Sequence, residues 1–155
     1  MTTPGKDIPE IPPDCSTGPH RVVLDKWIEC APFERLLNME IKSAENGKAV
    51  LTMPFCRRYA QGAGLMHGGA LVSLADTAVV MAIKSLLEPW SHFATIEMES
   101  KFLYPVKQGQ VTARAEITEK KDRTIRGEAT VYNEEGKAVF SFSSVFKIAR
   151  DTKIR

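Results

Sequence analysis

Asp76 is the only charged residue between His67 and Lys84, inside the run Gly68-Gly-Ala-Leu-Val-Ser-Leu-Ala-Asp-Thr-Ala-Val-Val-Met-Ala-Ile83. That run is apolar on nearly every face, the mark of a buried helix. A carboxylate carried into hydrocarbon is costly unless it is paired, hydrogen-bonded or protonated. Helix capping does not account for it, because it lies about two turns past the start of the run. Either it meets a polar partner or water at the helix edge for structural reasons, or it is a general base or nucleophile whose pKa is set by burial. The second is the expectation for Asp76. Gly68 and Gly69 supply a possible complement: bare backbone N–H groups at the positive end of the helix dipole, able to hold a developing oxyanion. A glycine pair can also serve only close packing of helix on sheet. Gly68 and Asp76 are eight residues apart, about 12 Å along one helix axis. Both must come within about 3 Å of one reacting carbonyl and its attacking water. Two antiparallel helices about a two-fold axis meet that requirement, each offering its N-terminus to the other's acid, so an obligate dimer with two shared sites is expected.

Other side chains carry weaker signals. Ser73, one turn before Asp76, either touches substrate or acid or bonds to its own helix backbone. No GxSxG elbow surrounds it, and no Walker loop or GxGxxG element opens a helix. Met53, Met66, Met81 and Met98 suit an adaptable core or a ligand pocket. His20 and His92 stand alone. Cys15, Cys30 and Cys56 form no CxxC pair and have no His at metal-ligand spacing, which points to a reducing compartment and no metal site.

The elements that must position these groups follow from pattern. Residues 1–19 hold five of the nine prolines and few large apolar groups, and read as a flexible Pro-rich tail. Val22, Val23, Leu24, Trp27 and Ile28 recur on one helical face, stopped by Pro32, with a second short helical piece through Phe33, Leu36 and Leu37. Met39–Ala44 and Ala49–Met53 flank Glu45-Asn46-Gly47, a strong hairpin signal. A loop at 55–66 leads into the apolar helix from His67 to about Leu87. Four strands follow, roughly 93–104, 108–119, 124–133 and 137–149, joined by short turns and expected to form an antiparallel meander. The result is an α+β domain over 20–150, one sheet wrapped on one central helix, with a C-terminal tail at 151–155.

At 155 residues, 43% hydrophobic and 26% charged, the chain fits one globular domain. A net charge of +2 with scattered Lys and Arg gives no footprint for nucleic acid. The apolar helix falls short of the roughly 20 residues of a membrane span and carries an acid at its centre. No signal-peptide pattern opens the sequence, so a cytoplasmic location is expected.

The stretch Gln61-Gly-Ala-Gly-Leu-Met-His67-Gly-Gly-Ala-Leu-Val-Ser-Leu-Ala-Asp76 resembles the signature of the phenylacetate-pathway (PaaI-like) thioesterases of the hotdog superfamily. Thr95-Ile-Glu-Met-Glu-Ser-Lys-Phe-Leu-Tyr-Pro-Val106, ending at Gly109, is similar to the family's next strand, and the likeness spans about 30–149. It implies a hotdog fold, a dimer with a continuous sheet often paired into tetramers, and hydrolysis of an acyl-coenzyme A thioester without metal or other cofactor. It also implies site roles. Asp76 would activate water or attack the thioester, the Gly68 N–H would polarise the carbonyl, His67 would orient that end, and Thr95 would hold the water or the acid. Gln61 falls where many members have Asn, and either amide can bond near the thioester. Gly69, Ser73, Met66 and Arg58 complete the expected substrate contacts, with Arg57 and Lys121 as further cations for the coenzyme phosphates. Strand parity groups Thr95 with Glu97, Glu99 and Lys101, opposite Ile96, Met98 and Phe102, so Thr95 reaches the site only near a strand end or the dimer seam.

The function expected is therefore acyl-CoA thioester hydrolysis. The rivals are a hotdog hydratase or dehydratase and a non-catalytic acyl-CoA binding or sensor protein.

Overall fold

Asn46 and Gly47 both adopt positive φ, 51° and 73°, and close a two-residue hairpin between β1 (Glu40–Glu45) and β2 (Lys48–Pro54). The computed structural model to which this turn belongs describes Cys15 and residues 18–150. The C-terminal tail and all of the expected Pro-rich tail except Cys15, Gly18 and Pro19 lie outside the described residues. A 3₁₀ turn, Arg57–Tyr59, precedes the long helix. The remaining elements are α1 (Pro32–Leu36), α2 (Gly68–Lys84), β3 (Phe93–Phe102), β4 (Gln110–Lys121), β5 (Thr124–Tyr132) and β6 (Ala138–Ile148).

The six strands form one antiparallel sheet in the order β1-β2-β4-β5-β6-β3. Its inner face is built in cross-strand rows. Leu51 faces Ala113, Ala113 faces Val131, Val131 faces Phe140, and Phe140 faces Phe102. Small residues occupy the middle strands, where α2 presses closest. Gly127 on β5 shows how close: a Cβ there would stand 2.5 Å from Val79 Cγ1 of α2. Leu74, Ala75, Ala78, Val79, Ala82 and Ile83 are sealed between helix and sheet, each large side chain contributing about 1.5–3 kcal/mol of burial.

Two expectations are corrected. The segment 22–28 is not a helix; it is bent chain, with Val22 and Val23 exposed and Pro32 starting α1 at its first turn. Proline suits that position, where its missing N–H would have no helical partner. Trp27 is instead held by tertiary bonds: its Nε1 donates to Lys84 O (2.8 Å), and Lys84 Nζ donates to Trp27 O (2.9 Å) while lying 4.8 Å above the indole ring. Nor do all four C-terminal strands form a meander. β4, β5 and β6 do, but β3 crosses to the far edge and pairs with β6. The connection 103–109 is pinned as it crosses, with Leu103 N donating to Val139 O, Met66 N to Val106 O, and Phe55 N to Gly109 O. Pro105 inside it has no N–H to offer a neighbouring strand.

Candidate active site

His67 caps α2 from extended backbone, its Nδ1 accepting from Gly69 N at 2.8 Å. Its carbonyl accepts from Ala70 N at 2.9 Å. Of the two glycine N–H groups expected to be bare, Gly69's is thus taken by the imidazole. Gly68's has no partner among the described residues and points out of the positive end of the helix. A Cβ there would stand 2.8 Å from Phe102 Cε1, so any side chain at this position would displace that exposed ring.

An open cleft of about 370 Å³ lies against this helix start, lined by Gln61, Met66, Gly68, Leu71, Phe102 and Val106. Met66 is buried in its floor. Gln61 donates its backbone N–H to Leu65 O at 2.8 Å, and its Oε1 accepts from Ala63 N, which leaves the side-chain NH₂ for other acceptors.

A second group sits further along the helix. Asp76 is half-buried, and Thr95 Oγ1 donates to its Oδ1 at 3.2 Å. Burial pushes the Asp76 carboxyl above the ordinary carboxylate range; the Thr95 hydrogen bond opposes that shift, and the negative charge of Glu34 adds to it. Thr95 owes its direction to a bulge. Thr95 pairs with Phe146 and Glu97 with Val145, so Ile96 is the extra residue. Simple alternation is therefore corrected: Thr95 shares the helix side with Met98, Ser100 and Phe102, while Glu97, Glu99 and Lys101 face outward.

The remaining expected residues divide. Ser73 Oγ donates to Gly69 O at 2.7 Å, its own helix backbone. Arg58 is turned away, its Nη2 reaching Tyr59 OH (3.3 Å) and Leu36 O (3.5 Å) and its guanidinium stacking on Tyr59. It lines neither the cleft nor the acid. One chain therefore brings together Gln61, Met66, His67 and Gly68 at the helix start, and separately Asp76 with Thr95 about 12 Å further along the axis. Leu71, Phe102 and Val106 were missed as lining residues. Their signal was present only as an apolar helix face and one side of a strand, which core packing produces equally well. Cys30, half-buried, has its thiol pushed up chiefly by burial and donates to Met39 O (3.5 Å).

A six-stranded antiparallel sheet curled on one long central helix is the hotdog fold. The model of the thioesterase superfamily matches residues 63–140, and the chain belongs to that family. A putative esterase of Haemophilus influenzae is 35% identical over 79 residues, 51% of this chain. That match spans only 57% of the Haemophilus protein's length. The 1,4-dihydroxy-2-naphthoyl-CoA hydrolase of Listeria monocytogenes is 32% identical over 54% of this chain and 68% of its own. Among solved structures, the E. coli PaaI protein of the phenylacetic acid degradation operon superposes with a TM-score of 0.71 at 28% identity, covering 77% of this chain and 85% of that one.

Proposed function

We propose that the protein hydrolyses an acyl-CoA thioester to free acid and CoA, with water and no bound cofactor. The observation that carries this is the half-buried Asp76, its pKa raised by burial and its carboxylate oriented by Thr95. A carboxyl shifted upward is a better proton acceptor for water than an ordinary one, and a fixed rotamer keeps it aimed. Asp76 drives water onto the thioester carbonyl, or attacks it directly. The oxyanion forms against the unpartnered N–H of Gly68 of the partner subunit. Membership of the thioesterase superfamily and the CoA-thioester hydrolase among the relatives support this chemistry.

The same geometry supports a dimer. β3 is an edge strand, and on it Ile96, Met98 and Phe102 are 57%, 45% and 59% exposed. Beside them runs the partly open stripe of α2 holding Val72, Ser73, Asp76 and Val80. A second copy adding its β3 to this edge covers the apolar strand and carries its own helix start toward Asp76. Dimer or dimer of dimers in the cytoplasm is part of the proposal. Among the described residues no helix is long and apolar enough to cross a membrane.

The test is hydrolysis of a panel of acyl-CoA esters, aromatic and aliphatic, with detection of the released thiol. Turnover abolished by Asp76→Ala supports the proposal; wild-type rates retained by that variant on every ester reject it.

A further inference from the structure

A second cleft, of about 600 Å³, adjoins the one at the helix start and shares Gln61 with it. It is lined by Arg57, Gln61, Gly62, Gly64 and Lys107 among others, and by no acidic residue. Three backbone pairings build it. Phe55 N donates to Gly109 O at 2.8 Å, which sets the 3₁₀ turn carrying Arg57 beside the crossover carrying Lys107. Met66 N donates to Val106 O at 2.9 Å, and Ala60 bridges Met66, which holds the glycine loop against the same crossover. Two cations far apart in sequence are thereby placed on one cavity by fixed backbone.

Neither cation is used internally. Among the described residues Arg57 and Lys107 form no ion pair, and their side chains make no hydrogen bond. The contrast with Arg58 is direct, since that neighbour's guanidinium is committed to Tyr59 and Leu36. Glu134 packs at the Gly109 rim, but its Oε1 is occupied by Gln110 N–H at 3.0 Å. Gly62 and Gly64 have open space where side chains would stand. The cleft is a recess with two cations and no acid in its lining, Glu134 standing at its Gly109 rim; it has room for a bulky anion and shares Gln61 with the apolar cleft at Gly68.

We infer that this recess takes the phosphate-bearing nucleotide end of the coenzyme thioester, with Arg57 and Lys107 as its anion-binding residues. The apolar cleft past Gln61 then receives the uncharged pantetheine arm and leads the sulfur toward the Gly68 N–H. The inference rests on the acyl-CoA proposal for the substrate, and adds which surface reads the coenzyme. Arg57 offers a fork of donors for a phosphate and Lys107 a compact charge, so both contribute chiefly by charge-assisted hydrogen bonds.

Two ligands separate the anionic end from the rest: CoA itself and phosphate-free pantetheine. Calorimetric titration of the wild-type protein is expected to give tighter binding of CoA than of pantetheine, with only the CoA affinity weakening as salt is raised. In R57A/K107A the preference for CoA over pantetheine is expected to fall about 10- to 100-fold, and R57K/K107R to retain most of it. The ratio of kcat/KM for acyl-CoA over the matching S-acyl pantetheine is expected to fall by a similar factor. An unchanged CoA preference in folded R57A/K107A overturns the inference, as does a salt-independent CoA affinity in the wild type. If the wild type binds CoA through these residues yet cleaves no thioester, the hydrolase proposal fails and the recess stands. If cleavage proceeds and the preference ignores both cations, the reverse holds.

Discussion

Thr95 reaches Asp76 because β3 carries one extra residue at Ile96: the bulge turns the Thr95 hydroxyl inward to donate to Asp76 Oδ1 at 3.2 Å. Without that insertion Thr95 would face outward with Glu97 and Glu99. The acid is thus held from a neighbouring strand and pushed up in pKa by burial.

Asp76→Asn keeps size and the Thr95 contact but removes the proposed base. It is expected to lower kcat for acyl-CoA hydrolysis by about 10²- to 10⁴-fold, while circular dichroism stays that of the wild type. A loss under tenfold in steady-state assays places the chemistry on another group.

The same variant has a stability signature. The folded Asp76 carboxyl titrates above its ordinary value of 3.8, so the native state binds its proton more readily than the unfolded chain does. The resulting stability is fully present below that ordinary value and is lost as pH rises through the folded pKa. Asp76→Asn is therefore expected to be more stable than the wild type at neutral pH, with the gap closing in acid. Urea denaturation at a series of pH values measures it; a wild type that gains stability from Asp76 as pH rises contradicts the assignment.

Thr95→Val removes the one hydrogen bond that opposes the upward shift. The acidic limb of the kcat/KM against pH profile is expected to move to higher pH, because the carboxylate now needs less acid to be protonated. A limb that stays in place or moves down would show that Thr95 does not act on Asp76.

Met98→Lys places a charge on the exposed inner side of the β3 edge, where nothing among the described residues covers it. Sedimentation is expected to show a folded monomer, and activity is expected to fall with dimer content, since the proposed site draws on two subunits. A fully active monomer would end the shared-site mechanism.

Trp27→Ala tests the bent segment that precedes α1. It deletes the Nε1–H bond to Lys84 O and the ring beneath Lys84 Nζ, whose ammonium is already held below its ordinary pKa by burial. A loss of about 2 kcal/mol is expected in chemical denaturation. A loss below a few tenths would mean the segment is not docked in solution.

Local chemistry carried much of this protein into its sequence. Asn46-Gly47 dictates the hairpin because both residues tolerate positive φ, and an unbroken apolar run with one acid dictates a sheathed helix bearing Asp76. The glycines at 68 and 69 mark that helix's start just as locally. Tertiary structure alone decided the rest. Apolar spacing in 22–28 could not distinguish a helix from a bent strap, because the deciding bonds run from Trp27 to Lys84, 57 positions away. Turn residues at 103–109 could not say that β3 crosses to the far edge, since pairing partners are chosen by the whole sheet. Alternation could not place Thr95, because a bulge is a property of two strands in register rather than of one. And Arg57 and Arg58, adjacent and chemically alike, part company only when the 3₁₀ turn aims one at a cleft and the other at Tyr59.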